Sequence, residues 1–221
     1  MAGSVPVPLV VLFLGAVVAI PALVPAALAA GARRLEPPLP PGRVALAAGV
    51  VLAAWLVLVL GLVAPERGAL GTAAAPVLFL GPLVLGAAGV GLLPVVRRTL
   101  LGVPLATLVR LQSSRVVGGL FLAWAAFGAV PWRFALIAGL GDVLVGVTAP
   151  FAARAAARGD RTGRRIALGH TLLGLLDFAV AIGTAMATRA ALPWPIILIP
   201  GFLVPLAILL HAWTLLVLRR G

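Results

Sequence analysis

Seven stretches of the chain are nearly free of charge and rich in Leu, Val, Ala and Gly: 7–30, 44–64, 74–96, 116–131, 134–153, 166–187 and 196–218. A helix needs roughly 20 apolar residues to cross hydrocarbon, and each stretch approaches or exceeds that length. The pattern predicts an all-α membrane protein with seven transmembrane helices. The fourth stretch is short, which pulls its start back toward Pro104 and puts Arg110, Gln112 and Arg115 on its first turns. The alternative is a separate interfacial helix over 99–113. The organisation expected is an N-terminal three-span region, 1–98, and a C-terminal four-helix module, 99–221.

Within the last three stretches the small and polar residues recur at helical spacing. Span five carries Ala135, Gly139, Asp142, Gly146, Ala149 and Ala153; span six carries His170, Gly174, Asp177, Ala181, Thr184 and Thr188; span seven carries Gly201, Val204, Ala207, His211 and Thr214. Small residues at this spacing let membrane helices approach closely. Spans five, six and seven are therefore expected to meet along these stripes. His170 and Asp177 are seven residues apart, so they differ by only about 20° around the helix axis.

Composition supports the class: 63% of residues are hydrophobic and 10% charged, against about 25% charged in a soluble domain. No segment is polar and long enough for a soluble domain. All 17 basic residues are arginine, and lysine and cysteine are absent. Disulfides, thiolate metal sites, thiol catalysis and a lysine Schiff base are thereby excluded. No nucleotide loop, zincin helix or nucleophile elbow occurs. The chain reads as leaning away from an enzyme.

The formal charge of +12 would suggest nucleic acid in a soluble protein. Here the arginines track the alternation of the spans instead, and no nucleic-acid partner is expected. Fourteen lie in connections one–two, three–four and five–six and in the tail; only Arg67, Arg133 and Arg189 lie on the opposite side. Basic residues in short loops stay cytoplasmic. The expected orientation is N-terminus outside and C-terminus cytoplasmic, multi-pass in the cell's inner (plasma) membrane. Arg110, Arg115, Arg154, Arg158, Arg161, Arg164 and Arg165 form the expected cytoplasmic-side basic set of the C-terminal module, facing anionic headgroups. The first span ends in PAALAAGA (25–32), which resembles a cleavage site, but it lacks a basic n-region, and retention is expected. EPPLPPGR (36–43) reads as a stiff turn between spans. The RGD tripeptide 158–160 falls on the expected cytoplasmic side, away from any adhesion role.

Asp142, Asp177 and His211 lie well inside spans. His170 lies about 6 Å from the start of span six and His211 about 10 Å from the end of span seven, by the helical rise. An ionised Asp at mid-membrane costs roughly 2.5–3.5 kcal/mol, so such residues face protein or water. These four form the proposed intramembrane polar cluster.

From about Arg110 to Leu216 the chain resembles a family of uncharacterised bacterial integral membrane proteins. The resemblance rests on VVGGLFLAW (116–124), PWRFALIAGLGDVLVGVTAPFAAR (131–154), LLGLLDFAVAIG (172–183) and ILIPGFLVPLAILLHAW (197–213). Asp142, Asp177, Pro200, Pro205 and His211 fall in those pieces. A polar residue such as asparagine often takes the place of His170 there, so the resemblance implies that His211 is the firmer functional group. It implies a four-helix module preceded by three spans, and no activity.

The first functional expectation is a small transporter or cation- and proton-handling protein in which Asp142, Asp177 and His211 line a polar cavity for a small solute or ion. The second is a non-catalytic accessory subunit or assembly factor of a membrane complex, with the polar stripe as packing. The third is a b-type haem protein with His170 and His211 as axial ligands. The fourth is an intramembrane aspartyl hydrolase using Asp142 and Asp177.

Overall fold

The computed structural model describes residues 5–63, 69–190 and 192–220. Arg67, expected on the sparse side of the arginine tally, lies outside the described residues. The architecture is helical, with no strand among the described residues. The long elements are α1 (Val7–Ala32), α2 (Pro41–Val63), α3 (Ala69–Leu92), α7 (Trp132–Ala157), α8 (Arg161–Thr188) and α9 (Val204–Leu218). Between α3 and α7 come α4 (Pro94–Gly102), α5 (Leu105–Leu111), a 3₁₀ segment (Gln112–Gly119) and α6 (Leu120–Ala126). A π-helical turn, Ile199–Leu203, leads into α9.

Among the described residues, five helices are long and apolar enough to cross a membrane: α1, α2, α7, α8 and the continuous helix Ile199–Leu218. A sixth is obtained when residues 76–92 and 94–102 count as one bent span. The third apolar stretch does not run straight to 96. It turns by 98° at Leu93, because Pro94 opens a new helix at a position where its missing N–H costs nothing. In α4 the arginines Arg97 and Arg98 are exposed and Thr99 and Leu100 are buried.

The fourth stretch is no regular helix. It starts early, at Leu105 behind Pro104, and runs through a 3₁₀ segment of eight residues to Ala126. Runs of 3₁₀ longer than three or four residues are uncommon. Locally, Ser114 Oγ donates to the Leu111 carbonyl at 2.8 Å, and Gly118 and Gly119 are poor α-formers. The π turn has a similar origin. Pro200 and Pro205 cannot donate to the i−4 carbonyl, so the hydrogen-bond ladder slips to the wider spacing.

Helix ends follow the local chemistry. Asp160 caps α8, accepting from the Gly163 N–H at 2.6 Å. Gly159 takes the positive φ of the turn between α7 and α8, which a residue with a side chain reaches only at a cost. The RGD tripeptide is thus a helix–turn–cap unit, and Arg158 also donates to Asp160 at 3.3 Å.

The arginine clusters share one end of the bundle. There α1 packs on α4 around Gly31, Thr99 and Val103, Arg98 donates to the Glu36 carbonyl at 3.0 Å, and Arg164 donates to the Leu218 carbonyl at 2.5 Å. Arg133 and Arg189 lie at the opposite ends of α7 and α8. The outer faces of α1, α2, α3, α7 and α8 display large apolar side chains, among them Leu12, Leu46, Leu85, Leu144 and Leu176. A belt of this kind far exceeds the patches a water-soluble monomer exposes.

The small-residue stripes face inward as expected for span five, where Ala135, Gly139, Asp142, Gly146, Ala149 and Ala153 are all buried. On span six only His170 and Gly174 of the stripe are buried; Asp177, Ala181 and Thr184 are half-buried and Thr188 is exposed. The expected meeting of spans five, six and seven needs correction. Helix α8 packs on both α7 and α9, but α7 and α9 barely touch, because α5 lies between them and the 3₁₀ segment, packed on α7, reaches α9 through Gln112 and Arg115. That 3₁₀ segment carries the group around which the site is built.

Candidate functional site: a buried arginine between two aspartates

Arg115 projects from the 3₁₀ segment into the interface of α7, α8 and α9, and 4% of its surface is exposed. Its Nε donates to Asp142 Oδ1 at 2.7 Å. Its Nη2 donates to Asp177 Oδ2. Its Nη1 donates to the Gly174 carbonyl at 3.1 Å and faces His211 Nε2 at 3.4 Å. The guanidinium carbon stands 3.8 Å from the centroid of the Phe178 ring, a cation–π position. One planar cation thereby ties together three helices and its own segment.

Arg115 was expected among the cytoplasmic-side arginines, and the structure corrects this. Two carboxylates inside an apolar bundle require a cation, and arginine alone offers a fork of five donors that never loses its charge. The other six members of that basic set behave differently: Arg110, Arg154, Arg158, Arg161 and Arg165 are exposed, and Arg164 is half-buried. Without Arg115 the sequence tally stands at thirteen to three. Arg115 had one signal in the sequence. The stretch 116–131 is too short to cross alone, and extending it backwards takes in Arg115 first.

Glycines make the approach possible. A Cβ on Gly118 would overlap the Asp142 carboxylate, and one on Gly141 would overlap that of Asp177. One on Gly174 would strike the His211 ring and crowd Arg115 Nη1. The aspartates therefore lie flat on facing backbones.

Asp142, Asp177 and His211 are thus brought together around Arg115. His170 stands apart, one turn before Gly174, with its Nε2 at 3.1 Å from the Val145 carbonyl. Gln112, one 3₁₀ turn before Arg115, was not among the expected site residues; it is 1% exposed and donates from Nε2 to the Ala207 carbonyl at 3.4 Å.

Two small cavities adjoin the cluster. One, of about 40 Å³, has Ser114, Arg115 and Asp142 in its wall together with Leu111, Ala207 and Leu210. The other, of about 70 Å³, lies beside both aspartates and is walled by Phe79, Phe121, Phe134, Phe178 and neighbouring aliphatic residues.

The residues present do not fit a bis-histidine haem. Both Nε2 atoms already face protein groups, and neither cavity approaches the several hundred Å³ of a cofactor pocket. No three of His, Asp or Glu gather in a metal-binding geometry among the described residues. Where an aspartyl dyad would need both carboxyls on one water, the guanidinium holds one oxygen of each, Asp142 Oδ1 and Asp177 Oδ2.

Neither the curated proteins nor the solved structures include a match to the chain. A family match begins within α3 and extends through the tail, enclosing all four segments on which the sequence resemblance rests. Residues 72–219 match DUF8737, a domain of unknown function, and the chain belongs to that family.

Proposed function

We propose that the chain is a membrane-embedded proton-handling protein, a small transporter or permeation protein whose working part is the Asp142–Arg115–Asp177 cluster. The observation that carries this reading is the charge count of a buried site. Two carboxylates share one guanidinium, so the fully ionised cluster holds one uncompensated negative charge where charge is expensive. One proton shared between the carboxyls balances it. Losing or gaining that proton changes which carboxyl holds Arg115, and the flanking 3₁₀ and π segments supply backbone that can follow.

In this reading the helices cross the membrane seven times. Residues 105–126 are the broken crossing, about 35 Å long from the rise of its α and 3₁₀ parts. The N-terminus lies outside, and the arginine-rich end faces the cytoplasm and its anionic headgroups, in the bacterial inner membrane. The cavities suit protons, water or a small cation rather than a metabolite. Their small size also favours the second reading, an accessory subunit of a membrane complex in which the cluster locks helices together.

Reconstitution into vesicles containing a pH-sensitive dye separates the two. With an imposed potential, the proton reading expects acidification faster than in empty vesicles, abolished by Asp177→Asn and by Asp142→Asn. Native protein that conducts no more than empty vesicles contradicts it.

A further inference from the structure

Four buried side-chain atoms on the elements that hold the cluster have no hydrogen-bond partner among the described residues: His211 Nδ1, His170 Nδ1, Gln112 Oε1 and Ser113 Oγ. Buried polar atoms are nearly always satisfied, by protein or by ordered water. The partners of the neighbouring atoms fix what each of these atoms offers. Arg115 only donates, so His211 Nε2 accepts and the His211 proton sits on Nδ1. The Val145 carbonyl only accepts, so His170 Nε2 carries the proton and Nδ1 presents a lone pair. The Gln112 amide nitrogen is spent on Ala207, which leaves Oε1 as an acceptor. The unpartnered set is therefore one N–H donor, two acceptors and one hydroxyl that does either.

Their placement is systematic. His211 touches Arg115 directly. His170 is one α turn from Gly174, whose carbonyl takes Arg115 Nη1, and Gln112 is one 3₁₀ turn from Arg115. His170 precedes Asp177 on α8 and so lies on the side of the aspartates toward the arginine-rich end. Both histidines and Gln112 are more than nine-tenths buried, so bulk solvent does not satisfy them. The guanidinium itself relays no proton, since it never gives one up. A route to Asp142 must pass beside it, where the 40 Å³ cavity bounded by Ser114, Arg115 and Asp142 exceeds the roughly 10–15 Å³ that a single water needs; none of the four unpartnered side chains is in its wall.

We propose that ordered water bridges His211 Nδ1, Gln112 Oε1, Ser113 Oγ and His170 Nδ1 and continues past Arg115 to Asp142, forming the proton path between the aspartate pair and the arginine-rich end. This rests on the proton-handling reading above and adds the side from which the protons come. A proton moves along such a file by bond exchange: each water accepts one proton and passes on another, and the file ends unchanged.

The chain has two histidines, so a ¹⁵N-histidine-labelled sample in lipid gives only two ring systems. Nuclear magnetic resonance should find one ring protonated at Nδ1 and the other at Nε2, both Nδ1 atoms in hydrogen bonds and both in cross-relaxation with water. His170→Phe assigns the surviving signal to His211. Gln112→Leu should weaken or abolish the His211 water contact while leaving its tautomer in place. Ring nitrogens without a water contact overturn the path, and so does the opposite tautomer on either ring. An infrared titration of the aspartate carboxyls on the same sample keeps the two ideas distinct. Dry histidines beside a titrating pair overturn the path and spare the proton reading; wet histidines beside a pair that never titrates overturn both.

Discussion

Replacing Arg115 with leucine removes the cation and leaves two carboxylates facing each other in the bundle. The structure sets the scale. Arg115 makes charge-assisted bonds to Asp142 and Asp177 and a further bond to the Gly174 carbonyl, with 3% of its side chain exposed. Breaking a buried ion pair by deleting one partner costs about 3–5 kcal/mol, mostly because a charge is left uncompensated. An ordinary polar bond between membrane helices is worth only about 0.6 kcal/mol. These magnitudes are far enough apart to decide the matter. Unfolding in mixed micelles of increasing denaturing detergent, followed by tryptophan fluorescence, should show Arg115→Leu destabilised by about 3–5 kcal/mol. The triple variant Arg115→Leu, Asp142→Asn, Asp177→Asn carries no buried charge and should recover most of that loss. A single variant within about 1 kcal/mol of the native protein would refute the reasoning, because exposed pairs behave that way. A triple variant as damaged as the single one would refute it equally, since the loss would then be packing rather than charge.

Three further outcomes follow from particular contacts. Gly141→Ala should cost about 1–3 kcal/mol through overlap with the Asp177 carboxylate, whereas Gly183→Ala on α8, which meets nothing within 4 Å, should be neutral or stabilising; the same unfolding assay checks both. Asp160 has its carboxyl held below the ordinary value of 3.8, first by the Gly163 N–H and, against some desolvation, also by Arg158. Its contribution is therefore present above the unfolded value and lost as pH falls through the lower folded one, so the stability gap between native protein and Asp160→Ala should be full at neutral pH and close on acidification. Because the chain lacks cysteine, Ala157→Cys and Thr188→Cys report on the two exposed ends of α7 and α8. A membrane-impermeant maleimide should label Thr188→Cys on intact cells and Ala157→Cys only after the membrane is opened, and the reverse pattern would invert the proposed topology.

The long helices were legible because hydropathy and length act locally: α1, α2, α7 and α8 begin and end within a few residues of the apolar stretches that predict them. The buried face of α7 was equally legible, since small residues at helical spacing allow only one close-packed side. Asp142, Asp177 and His211 stood out because each is costly in hydrocarbon and needs a partner. The partner itself was hidden. Arg115 lies at the polar edge of a short apolar stretch, where the rule for loop arginines assigns it to the membrane surface, and only the folded chain shows the 3₁₀ segment packed on α7 and reaching α9. Its burial is a tertiary fact, set by where two aspartates on other helices end up. The bend at Pro94 and the π turn at Pro200 had visible prolines but ambiguous consequences, because prolines elsewhere, such as Pro21 and Pro25, sit inside a continuous helix.

The central claim is that Asp142 and Asp177 share a proton beside Arg115. Infrared difference spectroscopy on the reconstituted protein, stepped in pH, reads a buried protonated carboxyl directly. The account predicts one protonated-carboxyl band that appears and disappears with pH and is shifted or lost in both Asp142→Asn and Asp177→Asn. A pH-independent spectrum, or a titrating band that survives in both variants, would contradict it.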